Sequence, residues 1–305
     1  MKYDFDVKIP RENTNCVKYD LRKNVFGNPD VLPMWVADMD FATPDFAREA
    51  VMERAQHPVY GYHFKDKPYF TAIQGWLKRR HQWEVPTEWM SFVPGVVCGF
   101  NMAVLAFTKE GDEVVIQSPV YPPFHHAASS HQRKLVYNSL KIGKQGYEMD
   151  FDLLEKQAKT AKMLILCNPY NPVGRCWTRE ELLHLSEICL RNNVLVIADE
   201  IHCDLVLPGY KHTPYATLNE EAAQHCIVFH AASKTLTWLD WPLLRLSSRT
   251  RSCGSPIIIM WRRWKPIWAT FSARWQLRRP WKRATSGWSN SLIMCKVTLI
   301  TFPIF

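Results

Sequence analysis

The sequence predicts an α/β fold with a mostly parallel central sheet over about residues 43–230. Short β-branched runs alternate there with amphipathic helical stretches, and several of the runs are apolar throughout, as strands buried on both faces must be. Helix-start signals stand between the runs. Alternation of this kind is typical of strands that run parallel and are connected by helices.

Five apolar runs are predicted to be strands. They are Glu113–Gln117, Lys134–Tyr137, Met163–Cys167, Val194–Ala198 and Cys226–Phe229. Ligands of such sheets bind beyond the carboxyl ends of the strands, so we expect functional residues in the segments that follow each run.

Three helix starts can be identified between these runs. Thr43 is predicted to be an N-cap, with Pro44 at the first helical position. Thr178–Glu181 reads Thr-Arg-Glu-Glu, which is a capping box, and it predicts a helix that continues to about Asn192. A further helix is predicted to begin near Val97.

The formal charge of +9 belongs to the last part of the chain. Residues 236–305 contain twelve Lys or Arg and one acidic residue, whereas residues 1–235 contain 26 basic and 28 acidic residues. The basic balance therefore does not predict a nucleic-acid or membrane partner for the folded part.

Cysteine usage and apolar runs indicate a cytoplasmic protein without a metal site. The nine cysteines form no Cys-x-x-Cys pair and no His/Cys metal spacing, which suits reduced, buried thiols. No signal peptide precedes the first acidic residues, and no apolar run approaches the length of a membrane span.

Two segments at predicted strand ends could contact a ligand. Residues 93–97, Val-Pro-Gly-Val-Val, lead into a helix whose free N–H groups suit a phosphate, although a plain turn is the alternative. Residues 118–123 hold Tyr121 between prolines, either as a stacking platform or as a buried structural tyrosine.

Two further segments place polar groups after apolar strands. Asn171 follows the third predicted strand and offers a hydrogen-bond donor. Residues 199–202, Asp-Glu-Ile-His, follow the fourth, where charges are costly unless they are paired. Asp199 is therefore expected to have a cationic partner.

Together with Ser233-Lys234, these segments resemble the cystathionine β-lyase-like branch of the class I/II aminotransferase family, which are fold-type I pyridoxal-phosphate enzymes. The resemblance extends from about residue 3 to 235, and His202 stands where ordinary aminotransferases have tyrosine. Its signature stretches are residues 32–41, 59–62, 171–174, 199–202 and 233–235.

The resemblance implies three parts of the chain. Residues 1–42 would form an N-terminal arm and a remnant of a small α+β domain. Residues 43–235 would form a large but incomplete domain that binds pyridoxal 5'-phosphate. Residues 236–305 would be aberrant.

The resemblance also implies roles for individual residues. Lys234 would form the Schiff base and move the Cα proton, while Asp199 would pair with the protonated pyridine nitrogen. His202 would either tune the cofactor or serve only as a structural neighbour. Asn171 would bind the phenolate oxygen and Tyr121 would stack on the ring. Residues expected at the phosphate are Gly95, Val96, Ser233 and, from a neighbouring subunit of a homodimer, Tyr62.

The reaction implied by this branch is α,β-elimination from an S-substituted cysteine such as cystathionine, which releases a thiol, pyruvate and ammonia. It would belong to methionine and cysteine metabolism. Two alternatives stay open: an aminotransferase, which needs a keto-acid acceptor, and a non-catalytic regulator that binds a transcription factor.

The resemblance ends at Thr235, where the family continues Phe-Asn-Leu-Ala-Gly-Leu-Ala. Here residues 236–242 read Leu-Thr-Trp-Leu-Asp-Trp-Pro, and eight of the thirteen tryptophans follow Thr235. Restoring one T before suitable codons converts these residues into the family sequence. We expect an out-of-frame segment over residues 236–305 that does not fold natively, with a premature end at Phe305.

This change would also remove the late arginine that clamps the substrate carboxylate in the family, so the product is expected to be inactive. Residues 260–283 place Trp beside Arg, a composition also found in membrane-surface and nucleic-acid-binding segments. Helical periodicity is missing there, and we expect neither partner.

The coding DNA tests the frameshift directly. With one base restored near codon 236, we expect an open frame that encodes family-like sequence beyond Thr235. Sequencing of genomic DNA is the measurement, and a DNA in which no such frame exists would sink the hypothesis.

Overall fold

The computed structural model describes residues 4–60, 67–143 and 146–235, and the backbone of residues 242–245. Within these residues it has a seven-stranded sheet of order β1-β9-β8-β7-β6-β2-β3 and a two-stranded antiparallel sheet, β4-β5. The strands are β1 Met90–Phe92, β2 Glu113–Ser118, β3 Lys134–Ser139, β4 Lys141–Gly143, β5 Gly146–Glu148, β6 Ala161–Cys167, β7 Leu195–Asp199, β8 Cys226–Ala231 and β9 Pro242–Arg245.

The predicted α/β fold with a mostly parallel sheet is confirmed. In the seven-stranded sheet, strands β3, β2, β6, β7 and β8 pair in parallel, and β9 pairs antiparallel with both β8 and β1. All five predicted strands are present. The fourth is displaced by one residue from its prediction, so Asp199 is the last residue of β7 and pairs with Phe229 of β8.

Nine helices accompany the strands in the described residues. They are α1 Val17–Asp20, α2 Arg22–Phe26, α3 Asp45–Gln56, α4 Lys67–His81, α5 Val96–Phe107, α6 Pro123–Ser129, α7 Phe151–Ala158, α8 Arg179–Arg191 and α9 Glu220–Gln224. Single 3₁₀ turns lie at Thr87–Trp89 and Tyr215–Thr217.

One of the predicted helix starts is confirmed in detail and another is wrong. Thr178 accepts a hydrogen bond from the Glu181 N–H at 3.2 Å, and the Glu181 carboxylate accepts one from the Thr178 N–H at 2.9 Å. Thr43 is not an N-cap. Pro44 holds that position with an extended ψ of 139°, and its carbonyl accepts from Ala47, so α3 begins only after it.

The centre of the sheet is buried on both faces. Every residue of β8 is buried, as are all residues of β6 except Lys162. Alternate side chains of a strand point to opposite faces, so continuous burial means that both faces are covered. Strands covered on both faces need apolar residues at almost every position, which explains the continuous apolar runs that predicted them.

Helix α5 approaches β8 closely at Gly99. A Cβ atom at Gly99 would overlap the ring of Phe229, which is fully buried and lies opposite Asp199 in the sheet. The absence of a side chain at Gly99 therefore sets the distance between α5 and β8. It thereby also positions the N-terminus of α5 beside the carboxyl ends of the strands.

Two further properties follow from the described residues. None of their helices has both the length and the apolar character needed to cross a membrane. Their seven cysteines are free thiols, as expected for reduced cysteines.

Gly99→Ala is expected to lower the free energy of unfolding by about 1–3 kcal/mol, because the added methyl overpacks the contact with Phe229. Gly75→Ala, inside α4, is the control. Its methyl would meet only the mobile end of Arg79, so better helix propensity should stabilise the protein by up to about 1 kcal/mol. Urea unfolding measures both, and equal stability of the two variants would contradict this packing.

Candidate active site

The carboxyl ends of β6, β7 and β8 meet at one edge of the sheet. The Asn168 N–H, just after β6, donates to the Asp199 carbonyl at 3.0 Å, and the Glu200 N–H donates to the Phe229 carbonyl at 3.0 Å. These bonds hold together the segments that carry Asn171, Asp199 and Lys234. The structure therefore brings three of the predicted site residues to one place.

Tyr121 joins this edge from the loop after β2. Its N–H donates to the carbonyl of Asn171 at 3.1 Å. The side chain is 39% exposed and its ring contacts Phe124 edge-on, with 6.5 Å between ring centroids. This exposure excludes the alternative of a buried structural tyrosine and is compatible with a stacking platform.

Gly95 and Val96 form the start of α5, one residue before the predicted start. Gly95 is the N-cap with a φ of +145°, a conformation that other residues rarely adopt. A Cβ atom there would meet nothing within 4 Å, so there is open space beside the helix end. The N–H groups and the dipole of this helix end favour an anion in that space.

Asp199 is a buried carboxyl group at the end of β7. Its Oδ1 accepts a hydrogen bond from the Ile201 N–H at 3.1 Å, and no ion pair to it exists among the residues that the structure describes. Burial raises the pKa of Asp199 to about 7, against the opposing effects of the Ile201 N–H and the Lys234 charge. The site therefore suits a cationic group brought by a ligand.

Lys234 lies in the turn after β8, beside Ser233 and Thr235. Its Nζ donates to the carbonyl of Ala37 at 3.1 Å. Burial and the Lys234 charge lower the pKa of His202 to about 4, so this imidazole is neutral at pH 7. Both proposed roles of His202 remain compatible with a neutral ring.

An ion-pair network holds the segment that contacts Lys234. Arg11 pairs with Asp38 and, at 2.6 Å, with Asp40, while Lys18 pairs with Asp40 at 2.7 Å. Ala37 immediately precedes Asp38. These partners were not predicted, although both acids lie within a signature stretch, residues 32–41.

The partners of the second carboxylate at this strand end, Glu200, were not predicted from the sequence. Its Oε2 lies 3.1 Å from His212 Nε2 and 2.9 Å from His230 Nε2, and its Oε1 accepts the Tyr215 N–H at 2.7 Å. Burial alone would raise the pKa of Glu200, but the two histidines hold it at about 2. Only the three-dimensional structure reveals these partners.

The remaining predicted features lie outside the described residues. They are Tyr62, on which the predicted homodimer contact depends, and the tail except for the backbone of residues 242–245. That backbone forms β9 between β8 and β1. The tail's frame and its lack of a native fold stay predictions.

Comparisons with known proteins show the family to which this chain belongs. The model of the family "aminotransferase class I and II" matches residues 29–238. Cystathionine beta-lyase PatB of Bacillus subtilis is 45% identical over 234 residues, which are 76% of this chain and 60% of PatB. The chain thus spans less than two thirds of that relative.

Solved structures of two enzymes share the fold. Cystalysin from Treponema denticola, which contains pyridoxal 5'-phosphate, has a TM-score of 0.78 and 37% identity, covering 83% of this chain and 66% of cystalysin. The pyridoxal-phosphate-bound C–S lyase from Staphylococcus hominis has a TM-score of 0.75 and 32% identity, covering 82% of this chain and 64% of the lyase.

Asp199→Asn is expected to stabilise the cofactor-free protein above neutral pH. Below about pH 4 both folded and unfolded Asp199 are protonated. Between 3.8 and about 7 only the unfolded chain ionises, so stability falls with rising pH and then stays low. The variant lacks this cost and should gain on the order of 2–4 kcal/mol at pH 8.

Urea unfolding at several pH values measures this gain, with Glu200→Gln as the control of opposite sign. Neutralising Glu200 removes the attraction of His212 and His230 and should destabilise the protein at pH 7. A pH-independent effect of Asp199→Asn would contradict the raised pKa.

Proposed function

Because the chain belongs to the class I and II aminotransferase family, we propose that it carries the cofactor-binding part of a pyridoxal-phosphate-dependent carbon–sulfur β-lyase. The observation that supports this best is the buried Asp199 carboxyl, which has no ion pair among the described residues and lies near Lys234. A ligand that brings a cationic ring nitrogen to Asp199 would supply the missing charge.

The residues around Asp199 fit pyridoxal 5'-phosphate. Tyr121 would stack on the ring and Asn171 would donate to its phenolate oxygen. The phosphate would lie in the open space at the start of α5, bound by the N–H groups of Gly95 and Val96 and by Ser233. When bound, the cofactor supplies an electron sink for the electron pair of the broken Cα–H bond.

Lys234 is proposed as the base. Its Nζ would take the proton from Cα of the substrate and deliver a proton to the departing sulfur. The Ala37 carbonyl holds this amine at one position, 3.1 Å away, in the absence of ligand. The neutral His202 ring beside it would add no competing positive charge.

The proposed substrate is an S-substituted cysteine such as cystathionine, by analogy with PatB. The reaction breaks the Cα–H and Cβ–S bonds and releases a thiol. Water then hydrolyses the remaining aminoacrylate to pyruvate and ammonia, so no oxidant or acceptor is needed. We place this reaction in methionine and cysteine metabolism in the cytoplasm.

We also propose a homodimer in which Tyr62 reaches the phosphate in the neighbouring subunit. Residues 236–305 are proposed to lack the arginine that binds the substrate carboxylate in the family. Since bidentate carboxylate recognition needs fixed geometry, the 305-residue chain is expected to bind the cofactor without efficient turnover.

Lys234→Ala tests the cofactor site. The unaltered chain mixed with pyridoxal 5'-phosphate should develop a visible absorbance band that borohydride removes, leaving a covalent adduct on Lys234 that peptide mass mapping detects. Lys234→Ala should lose both. Lys211→Ala, a change at an exposed lysine, should keep both. An adduct spread evenly over many lysines would contradict the site.

Pyruvate release from L-cystathionine, without added keto acid, tests the reaction class. The 305-residue chain should release little, and a chain with the family-like frame restored should release pyruvate and thiol in equal amounts. Amine transfer that occurs only with a keto acid would instead identify an aminotransferase.

A further inference from the structure

Asp204 lies in the turn after β7 and is the centre of a partly buried hydrogen-bond cluster. Its side chain is 5% exposed. Oδ2 accepts from Trp76 Nε1 at 3.0 Å and from the Thr235 hydroxyl at 2.9 Å, while Oδ1 lies 2.8 Å from His81 Nε2. Trp76, His81, Asp204 and Thr235 are named here the Asp204 cluster.

The Asp204 carboxylate is ionised despite its burial. Desolvation raises its pKa, but the bonds from His81, Thr235 and Trp76 outweigh this and hold the pKa at about 2. Hydrogen bonds to a charged acceptor are stronger than those between neutral groups. Asp204 therefore accepts these hydrogen bonds as a charged carboxylate throughout the neutral pH range.

The members of the Asp204 cluster come from three separate parts of the fold. Trp76 and His81 lie on α4, Asp204 follows β7, and Thr235 follows β8. The turn after β7 also carries His202, and Thr235 is the immediate neighbour of Lys234. The Asp204 carboxylate thus connects the turn after β7 and the turn after β8 to helix α4.

We propose that Asp204 is a positioning residue for Lys234, acting through the Thr235 hydroxyl. This role rests on the proposed function of Lys234 as the base. Asp204 itself does not contact the substrate. The Asp204 carboxylate holds the turn after β8, which carries Lys234, through the Thr235 hydroxyl. The Lys234 amine is thereby kept near the Ala37 carbonyl and Asp199.

A metal site is the competing interpretation, because ligand atoms of His81, Cys203 and Asp204 lie within 4.8 Å of one another. The geometry favours positioning. Both Asp204 oxygens already accept hydrogen bonds, and Cys203 Sγ lies 3.3 Å from His230 Nδ1. Burial also raises the pKa of the Cys203 thiol, which disfavours the thiolate that binds metals.

Thr235→Val is the decisive variant, because it removes the hydroxyl and keeps the shape. The full chain without cofactor is labelled briefly with acetic anhydride, and the acetylation of Lys234 relative to Lys211 is read by mass spectrometry. We expect Lys234 to react faster, up to roughly tenfold, since the lost bond is to a charged group. Thr235→Ser should restore the original rate.

Asp204→Asn should act in the same direction, and the double variant should react no faster than the stronger single one, because both variants act on Lys234 through the same Thr235–Asp204 hydrogen bond. Thr160→Val is the matched control. Its hydroxyl also donates to a carboxylate, that of Glu113 at 2.5 Å, away from the site. This variant should leave Lys234 labelling unchanged.

Unchanged labelling in Thr235→Val, or an equal change in Thr160→Val, would overturn the proposal. Stoichiometric Zn²⁺ binding that Cys203→Ser abolishes would replace it with a metal site. The labelling needs no cofactor, so a failure to bind pyridoxal 5'-phosphate would count against the proposed function and leave this result interpretable.

Discussion

The placement of two carboxyl groups at the end of one buried strand is the constraint on which the site depends. Asp199 and Glu200 are neighbours, yet their pKa values move in opposite directions. Glu200 has two histidines and a backbone N–H around its carboxylate oxygens, and these contacts keep it ionised inside the protein. Asp199 accepts one hydrogen bond, from a backbone N–H, and has no ion pair among the described residues. Glu200 is therefore satisfied within the protein, whereas Asp199 is proposed to bind a cationic group of a ligand.

The N-terminal segment, residues 4–42, contacts the site although it contains little regular secondary structure. Its helices are short and many of its apolar side chains are exposed. Arg11 and Lys18 nevertheless hold Asp38 and Asp40, and the Ala37 carbonyl beside them receives the Lys234 amine. Long-range ion pairs, rather than a hydrophobic core, therefore bring this segment to the lysine.

The parallel strands and the positions of Asn171 and Asp199 at their ends could be predicted because they depend on local pattern, whereas Lys234 was identified through the family resemblance. An apolar run followed by polar residues identifies a buried strand end wherever the chain goes next. The prediction of Thr43 as the N-cap was wrong because Pro44 is itself extended and takes that position. Which of two adjacent residues caps a helix depends on a small difference in backbone conformation. The partners of Asp204 could not be predicted from local pattern. Trp76 is separated from Asp204 by 128 residues in the sequence, and their contact depends on how α4 packs against the rest of the fold.

The four-residue strand β9 has a consequence for how much sequence change this edge of the sheet tolerates. Its main chain bridges β8 and β1 through backbone pairing, which depends little on which side chains follow Thr235. Many different sequences could therefore pair at this position of the sheet, whereas bidentate recognition of a carboxylate requires one side chain in a fixed geometry.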